Sequence, residues 1–360
     1  MDVKTPYWHC FCQVIDNFGD AGVALRLCRE LSLRQEYLVT LFIDDLPLIL
    51  SLMDEQDRQL FTVRAWSAVD TLEETAPRIV SLFGCSLPLG YIKLIDPNTP
   101  IPLWVNIEHL SAEKWIESFH LKPSPHPPLT EFFFYPGFTR GSGGLIHGDN
   151  NDSKELEAPP PSIRDWQQQP FKILLFYYHN PSVLSLLNSL KTLSIPCLLY
   201  IPTALRQAEE IRAWQKQYLR HTALKIIWLE RMVQSAFDDM MRQCDLLFVR
   251  GEDTWARAQL MGKPLLWQIY PQEKNAHWPK LEAFLERYTE NIPQPKIKQM
   301  IITLHHQWNQ GVPITPMECE ELVTHWQNLI EHADRWQKEL LRQNDLIHQL
   351  IQFIENHREI

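Results

Sequence analysis

Three observations predict an α/β protein built from two parallel-sheet domains in tandem. The 360 residues exceed one ordinary core and suit two domains of about 100–200 residues each. In both halves short apolar runs alternate with helix-length amphipathic stretches, as in strands joined by crossover helices. Between the halves, from Gly148 to Ser162, the chain turns polar, acidic and proline-rich, as a linker does. The expected domains are therefore residues 1–160 and 161–360. A hydrophobic fraction of 45% with 22% charged residues is the composition of a chain that buries real cores.

The first domain opens with a strand over Tyr7–Ile15, a glycine-bearing loop over Asp16–Gly22, a helix over Val23–Gln35 and a second strand over Tyr37–Asp44. The apolar runs Arg78–Phe83, Tyr91–Ile95 and Pro102–Ile107 are expected to extend the same sheet. Cys10 and Cys12 share one face of the first strand and lack a second ligand pair at zinc-site spacing, so they read as core. Asp44 and Asp45 stand before Leu46-Pro47, which suits a turn better than a metal pair.

The second domain runs through strands at Phe171–His179, Cys197–Pro202, Ala223–Leu229 and Cys244–Arg250. Helices fall between them at Ser182–Leu193, Ala204–Leu219 and Ser235–Arg242. A further helix opens near Thr254 and closes at Gly262, with Pro264 beyond. From Met317 the pattern is helical to the end, and these terminal helices are assigned to the second domain. The neighbours His305 and His306 diverge around a helix, which favours a solvated face over a ligand pair. Trp104, Trp228, Trp255 and Trp267 adjoin apolar elements and read mainly as core.

A formal charge of −10 gives no global basic footprint, which disfavours a nucleic-acid partner. The start has no cationic stretch before a long apolar core, and no run of about 18 apolar residues follows, so neither a signal peptide nor a membrane partner is expected. Seven cysteines at scattered spacing fit a reducing, cytoplasmic setting.

Two loops carry the chemistry. Asp16-Asn17-Phe18-Gly19-Asp20-Ala21-Gly22 lies at the carboxyl end of the first strand, where ligands of open α/β sheets bind. Its glycines permit close backbone approach, and its carboxylates either serve chemistry or cap the helix. Arg250-Gly251-Glu252-Asp253-Thr254 follows another strand and opens a helix whose N–H groups suit a pyrophosphate. There Asp253 or Thr254 is expected to cap the helix, the Thr254 hydroxyl to reach phosphate, and Glu252 to accept from sugar or ribose hydroxyls. Facing loops across an interdomain cleft would suit a group transferase. The residues alone leave open a transferase or epimerase for any nucleotide sugar, or a non-catalytic binding module.

These loops, with Trp104–Glu113 (WVNIEHLSAE), Phe133–Phe138 (FFYPGF), Gly143-Gly144-Leu145, and Trp267–Glu273 (WQIYPQE), resemble the EarP family of protein-arginine rhamnosyltransferases. The resemblance implies a GT-B architecture, two Rossmann-like domains facing a cleft. It implies inverting transfer of rhamnose from dTDP-β-L-rhamnose to an arginine of translation elongation factor P, with no metal and no cofactor. By the family's pattern Asp20 is the general base, Asp16 a second essential acid and Glu252 a third catalytic carboxylate. Asn17, Phe18, Gly19, Phe176, Tyr178, Gln234, Arg250, Gly251, Asp253 and Thr254 would line the donor. Thr254 stands where the family usually has serine, which keeps the hydroxyl. Tyr177 and Tyr178 should point to opposite faces, so only one of them reaches the nucleotide.

Overall fold

A computed structural model describes residues 7–35, 37–148, 169–220 and 222–357, so most of the expected linker lies outside the described residues. The chain divides into two compact units, Met1–Asp152 with Leu340–Ile360, and Ser153–Glu339.

The first unit begins with β1 (Tyr7–Cys12), α1 (Asn17–Gln35), β2 (Leu38–Ile43), α2 (Leu46–Leu52), α3 (Glu55–Leu60), β3 (Thr62–Ala65) and β4 (Arg78–Leu82). It continues with α4 (Leu89–Ile92), β5 (Leu103–Ile107), α5 (Ile116–Phe119), β6 (Pro123–His126) and β7 (Leu129–Phe134). The seven strands lie in the order β3-β2-β1-β4-β5-β7-β6, parallel except for the β6–β7 pair. β6 carries Pro123 and Pro125, and it sits at the sheet edge, where a missing N–H is tolerated.

Both faces of this sheet are covered. Trp8, Cys10 and Cys12 pack with α1 residues Leu25, Cys28 and Leu31 on one face, and Phe11, Phe42 and Trp104 pack with Tyr91 on the other. Burial drives the thiols of Cys12 and Cys28 well above their ordinary range, which suits inert core groups. Tyr91–Ile95 is not a strand: α4 turns Tyr91 inward, where its hydroxyl lies 2.8 Å from His9 Nδ1 and accepts from the Ala76 N–H at 3.0 Å. Asp45 caps α2 through the Leu48 N–H at 3.0 Å, and Asp44 accepts from the Val14 N–H at 2.9 Å, in keeping with a turn. No metal-binding group of acidic, histidine or cysteine side chains occurs among the described residues.

The second unit holds β8 (Phe171–Leu175), α6 (Val183–Leu190), β9 (Cys197–Pro202), α7 (Ala208–Tyr218), β10 (Leu224–Leu229) and α8 (Gln234–Gln243). There follow β11 (Leu246–Arg250), α9 (Asp253–Leu260), β12 (Leu265–Gln268), α10 (Trp278–Tyr288), α11 (Pro295–Gln310), α12 (Pro316–Thr324) and α13 (Trp326–Leu341). Its five strands are all parallel, in the order β10-β9-β8-β11-β12. His305 departs from the expected solvated face. It is fully buried on α11, its Nδ1 lies 2.9 Å from the Ile301 carbonyl, and burial pushes its pKa down to about 4. His306 faces Glu282 instead, at 2.8 Å.

The last helix, α14 (Leu346–Asn356), corrects the expected boundary, because it belongs to the first unit. Leu346, Ile347, Leu350 and Ile354 are buried in the core beside α1. Asp345 fastens the helix start: it caps the His348 N–H at 3.0 Å, accepts from the His147 N–H at 2.9 Å and pairs with Arg34 at 3.0 Å. An apolar stripe announces that a helix will be buried; it does not say against which core.

Candidate functional site

In a doubly wound sheet the ligand crevice opens at the carboxyl ends of the strands where strand order reverses. In the first unit that point lies between β1 and β4. The loop after β1 is shorter than expected, since α1 already starts at Asn17 and takes in Phe18, Gly19 and Asp20. Asp20 is 4% exposed, and its Oδ2 accepts from the backbone N–H groups of Ile15 and Asp16, each at 2.8 Å. From within the first turn of α1 the carboxylate therefore ties down the chain that precedes the helix, rather than capping it from outside. Gly19 donates its N–H to the Asp16 carbonyl at 2.7 Å. A Cβ at Gly19 would come within 2.6 Å of Asp16 Oδ2, so any other residue there would push the Asp16 carboxylate aside. Phe18 packs partly buried against the first unit's core.

Across the same switch point Phe83 and Gly84 follow β4 with φ of 59° and 68°. A bulky residue in the left-handed region is strained, and such strain gathers at functional sites. The Gly84 N–H donates to Asn106 Oδ1 at 3.1 Å, and Asn106 Nδ2 donates to Glu108 Oε1 at 3.0 Å. Burial raises the pKa of Glu108. Sequence reasoning named this strand end only through the Trp104–Glu113 block; the Asn-x-Glu spacing, which puts both side chains on one face, was the available signal.

In the second unit the switch point lies between β8 and β11. The Arg250 guanidinium ends β11 and sits over two rings that follow β8, 4.5 Å from the Phe176 centroid and 4.7 Å from Tyr178. The tyrosines part as alternation requires: Tyr177 is buried against Trp308 at 5.6 Å, and Tyr178 packs edge-on to Tyr270 at 5.4 Å. The Tyr178 N–H donates to Gln268 Oε1 at 2.8 Å, which pins the loop. So Phe176, Tyr178 and Arg250 form one cluster.

Beyond Arg250 the chain turns at Gly251, with φ of 65°, a conformation glycine adopts without a Cβ penalty. Its carbonyl accepts from Trp267 Nε1 at 3.0 Å, and Trp267 stacks on Trp255 at 3.7 Å, which makes these tryptophans the floor of the loop. The N-cap position of α9 falls on Glu252, one residue earlier than expected, and it makes no side-chain cap. Asp253 instead accepts from Gln234 Nε2 at 3.0 Å. The Thr254 hydroxyl donates to the Arg250 carbonyl at 2.5 Å, within the loop. Glu252 Oε1 meets Lys280 Nζ of α10 at 2.7 Å. Nothing in the sequence pattern linked Lys280 to this loop across 28 residues.

A family model described as Elongation-Factor P (EF-P) rhamnosyltransferase EarP matches residues 8–355. The chain belongs to the EarP family. A protein-arginine rhamnosyltransferase of Pseudomonas putida is 33% identical over 374 residues, covering 97% of this chain and 98% of that protein. One from Pseudomonas aeruginosa is 32% identical, covering 96% and 98%. A solved EarP structure, described as the structural basis for EarP-mediated arginine glycosylation of translation elongation factor EF-P, superposes with a TM-score of 0.65. It shares 25% identity and covers 98% of this chain and 99% of that one. EarP membership makes the chain a glycosyltransferase of the GT-B class, with one Rossmann-like sheet in each unit.

Proposed function

We propose that this protein transfers rhamnose from dTDP-β-L-rhamnose to an arginine side chain of translation elongation factor P, with inversion at the anomeric carbon. The observation that carries the reading is the EarP family match across residues 8–355. The Arg250 cluster supports a diphosphate ligand in the second unit, and the Asp16–Asp20 turn supports a cationic acceptor in the first.

A guanidinium stays protonated at neutral pH and is a weak nucleophile. Asp16 and Asp20 would grip its N–H groups and raise electron density on the attacking nitrogen. That nitrogen forms a bond to C1 of the sugar on the face opposite the diphosphate. The C1–O bond breaks as it does so, and its electron pair leaves with dTDP. The proton released from the nitrogen passes to the Asp20 carboxylate, with general-base assistance of about 10²–10⁴-fold. Arg250, Gly251 and the start of α9 would receive the departing charge, with Glu252 on the donor's hydroxyls and Phe176, Tyr178, Gln234, Asp253 and Thr254 around them. Fixed donors at such a place act without reorganising.

The test is to incubate the purified protein with elongation factor P and dTDP-rhamnose and to map the acceptor by mass spectrometry. One deoxyhexose on one arginine is expected; an unmodified acceptor overturns the reading.

A further inference from the structure

Lys280 stands in an electrostatically awkward place. It lies in the first turn of α10, a helix with no acidic residue in that turn, where the helix dipole disfavours a cation. Its compensation comes from outside the helix, from Glu252 at 2.7 Å, and both side chains are largely withdrawn from solvent. Glu252 is itself the N-cap of α9. This one ion pair therefore brings the positive ends of two helices, α9 and α10, against each other around a single carboxylate.

The surroundings add to that surplus. Gly251 is left-handed and Glu252, at φ −98° and ψ −43°, is right-handed, an alternation that turns successive N–H groups toward a common anion. The Arg250 guanidinium lies one residue earlier, over Phe176 and Tyr178. An unscreened carboxylate in the midst of these groups would repel a diphosphate. A neutralised one would not. An ammonium has three N–H donors, and the Glu252 contact uses one of them.

We propose that Lys280 is a donor-binding residue: its ammonium neutralises and orients Glu252 and gives its remaining N–H groups to the diphosphate. This rests on reading the second unit as the donor site. It assigns to α10 a role that the loop after β11 does not fill alone, and it makes Lys280 and Glu252 one functional unit.

The test is a double-mutant cycle on the full chain, read by calorimetric titration of dTDP and by kinetics at varied donor. Lys280→Met is expected to weaken dTDP binding and raise the donor KM by roughly tenfold, about 1.4 kcal/mol, with the acceptor KM unchanged. Lys280→Arg should restore binding to within about threefold, because the charge is kept. Lys280→Met combined with Glu252→Gln should bind dTDP no worse than Lys280→Met alone, since the carboxylate that repels the diphosphate is gone. Thermal melts accompany each titration, and Lys280→Gln replaces Lys280→Met if the latter melts below the assay temperature. Wild-type dTDP affinity in the neutral variant, or strictly additive losses in the cycle, overturns the role of Lys280 and leaves the donor site standing. Failure of the wild-type protein to bind dTDP overturns both.

Discussion

In the acidic loop of the first unit a carboxylate binds nearby backbone, and in that of the second, carboxylates meet side chains from other elements. Asp20 reaches back four and five residues, to the N–H groups of Asp16 and Ile15. Glu252 and Asp253 are held across 28 and 19 residues, by Lys280 and Gln234. A locally closed turn presents one rigid carboxylate whatever the ligand state, which suits proton transfer, where position decides the rate. A loop held by distant polar side chains depends on how α8, α9 and α10 pack, which suits a site that must also release a charged product. The two units solve the same problem, acids at a strand end, with short-range and long-range contacts respectively.

Substitutions can break this comparison. The largest effect is expected from Asp20→Asn, which should lower kcat by about 10²–10⁴-fold and leave calorimetric dTDP affinity near wild type. Normal turnover would reduce Asp20 to a cap; lost dTDP affinity would move it into the donor site. Next, Leu350→Ala in α14 should cost about 2–5 kcal/mol through the cavity it leaves in the first unit's core. Hydrogen exchange read by mass spectrometry should show lost protection in β1 and α1 while α9 and β12 stay protected. The reverse pattern would return α14 to the second unit.

A matched glycine pair sharpens the contrast at smaller cost. Gly19→Ala should displace the Asp16 carboxylate, now 2.6 Å from the new Cβ, and so lower kcat. Gly251→Ala should strain a residue at φ 65° by about 1–2 kcal/mol and so raise the donor KM several-fold. Steady-state kinetics with each substrate varied in turn would show whether the two effects separate as stated.

Acid should tell the units apart most weakly. His9 and His120 in the first unit, and His305 and His332 in the second, are each pushed down to about 4 by burial. Between about 4 and 6.5 the unfolded chain takes up these protons and the native one does not, so stability is lost as pH falls through that window. Burial also raises Glu108 and Glu131 in the first unit, so the native state there holds protons that the unfolded chain has released above about 4.3. That contribution grows as pH falls and offsets the histidines. Hydrogen exchange at pH 5 should therefore show larger losses of protection in the second unit; equal losses would remove the distinction.

The sequence made some of this legible and hid the rest for physical reasons. Alternation of apolar runs and helical stretches located β1, β2, β4, β5 and every strand from β8 to β11, because strands of a parallel sheet are mostly apolar. The same rule mistook Tyr91–Ile95 for a strand, since a short helix and the turn after it, burying Tyr91 and Ile95, are as apolar as one. Both acidic loops stood out because they sit where a strand ends and a helix starts. The choice between Tyr177 and Tyr178 needed Trp308, and the partner of Glu252 needed α10; neither is within reach of a local pattern. The EarP resemblance supplied rhamnose, arginine and elongation factor P, which no spacing could.

The return of α14 to the first unit bears on how the protein is made. During synthesis at about 5–20 residues per second, Ser153–Glu339 must emerge before Leu346–Ile354 does, a delay of roughly 10–40 s. The second unit is contiguous and can fold as it leaves the ribosome. The first waits with the part of its core that Leu346, Ile347, Leu350 and Ile354 cover still open, and it is the half of the nascent chain that a chaperone has reason to hold.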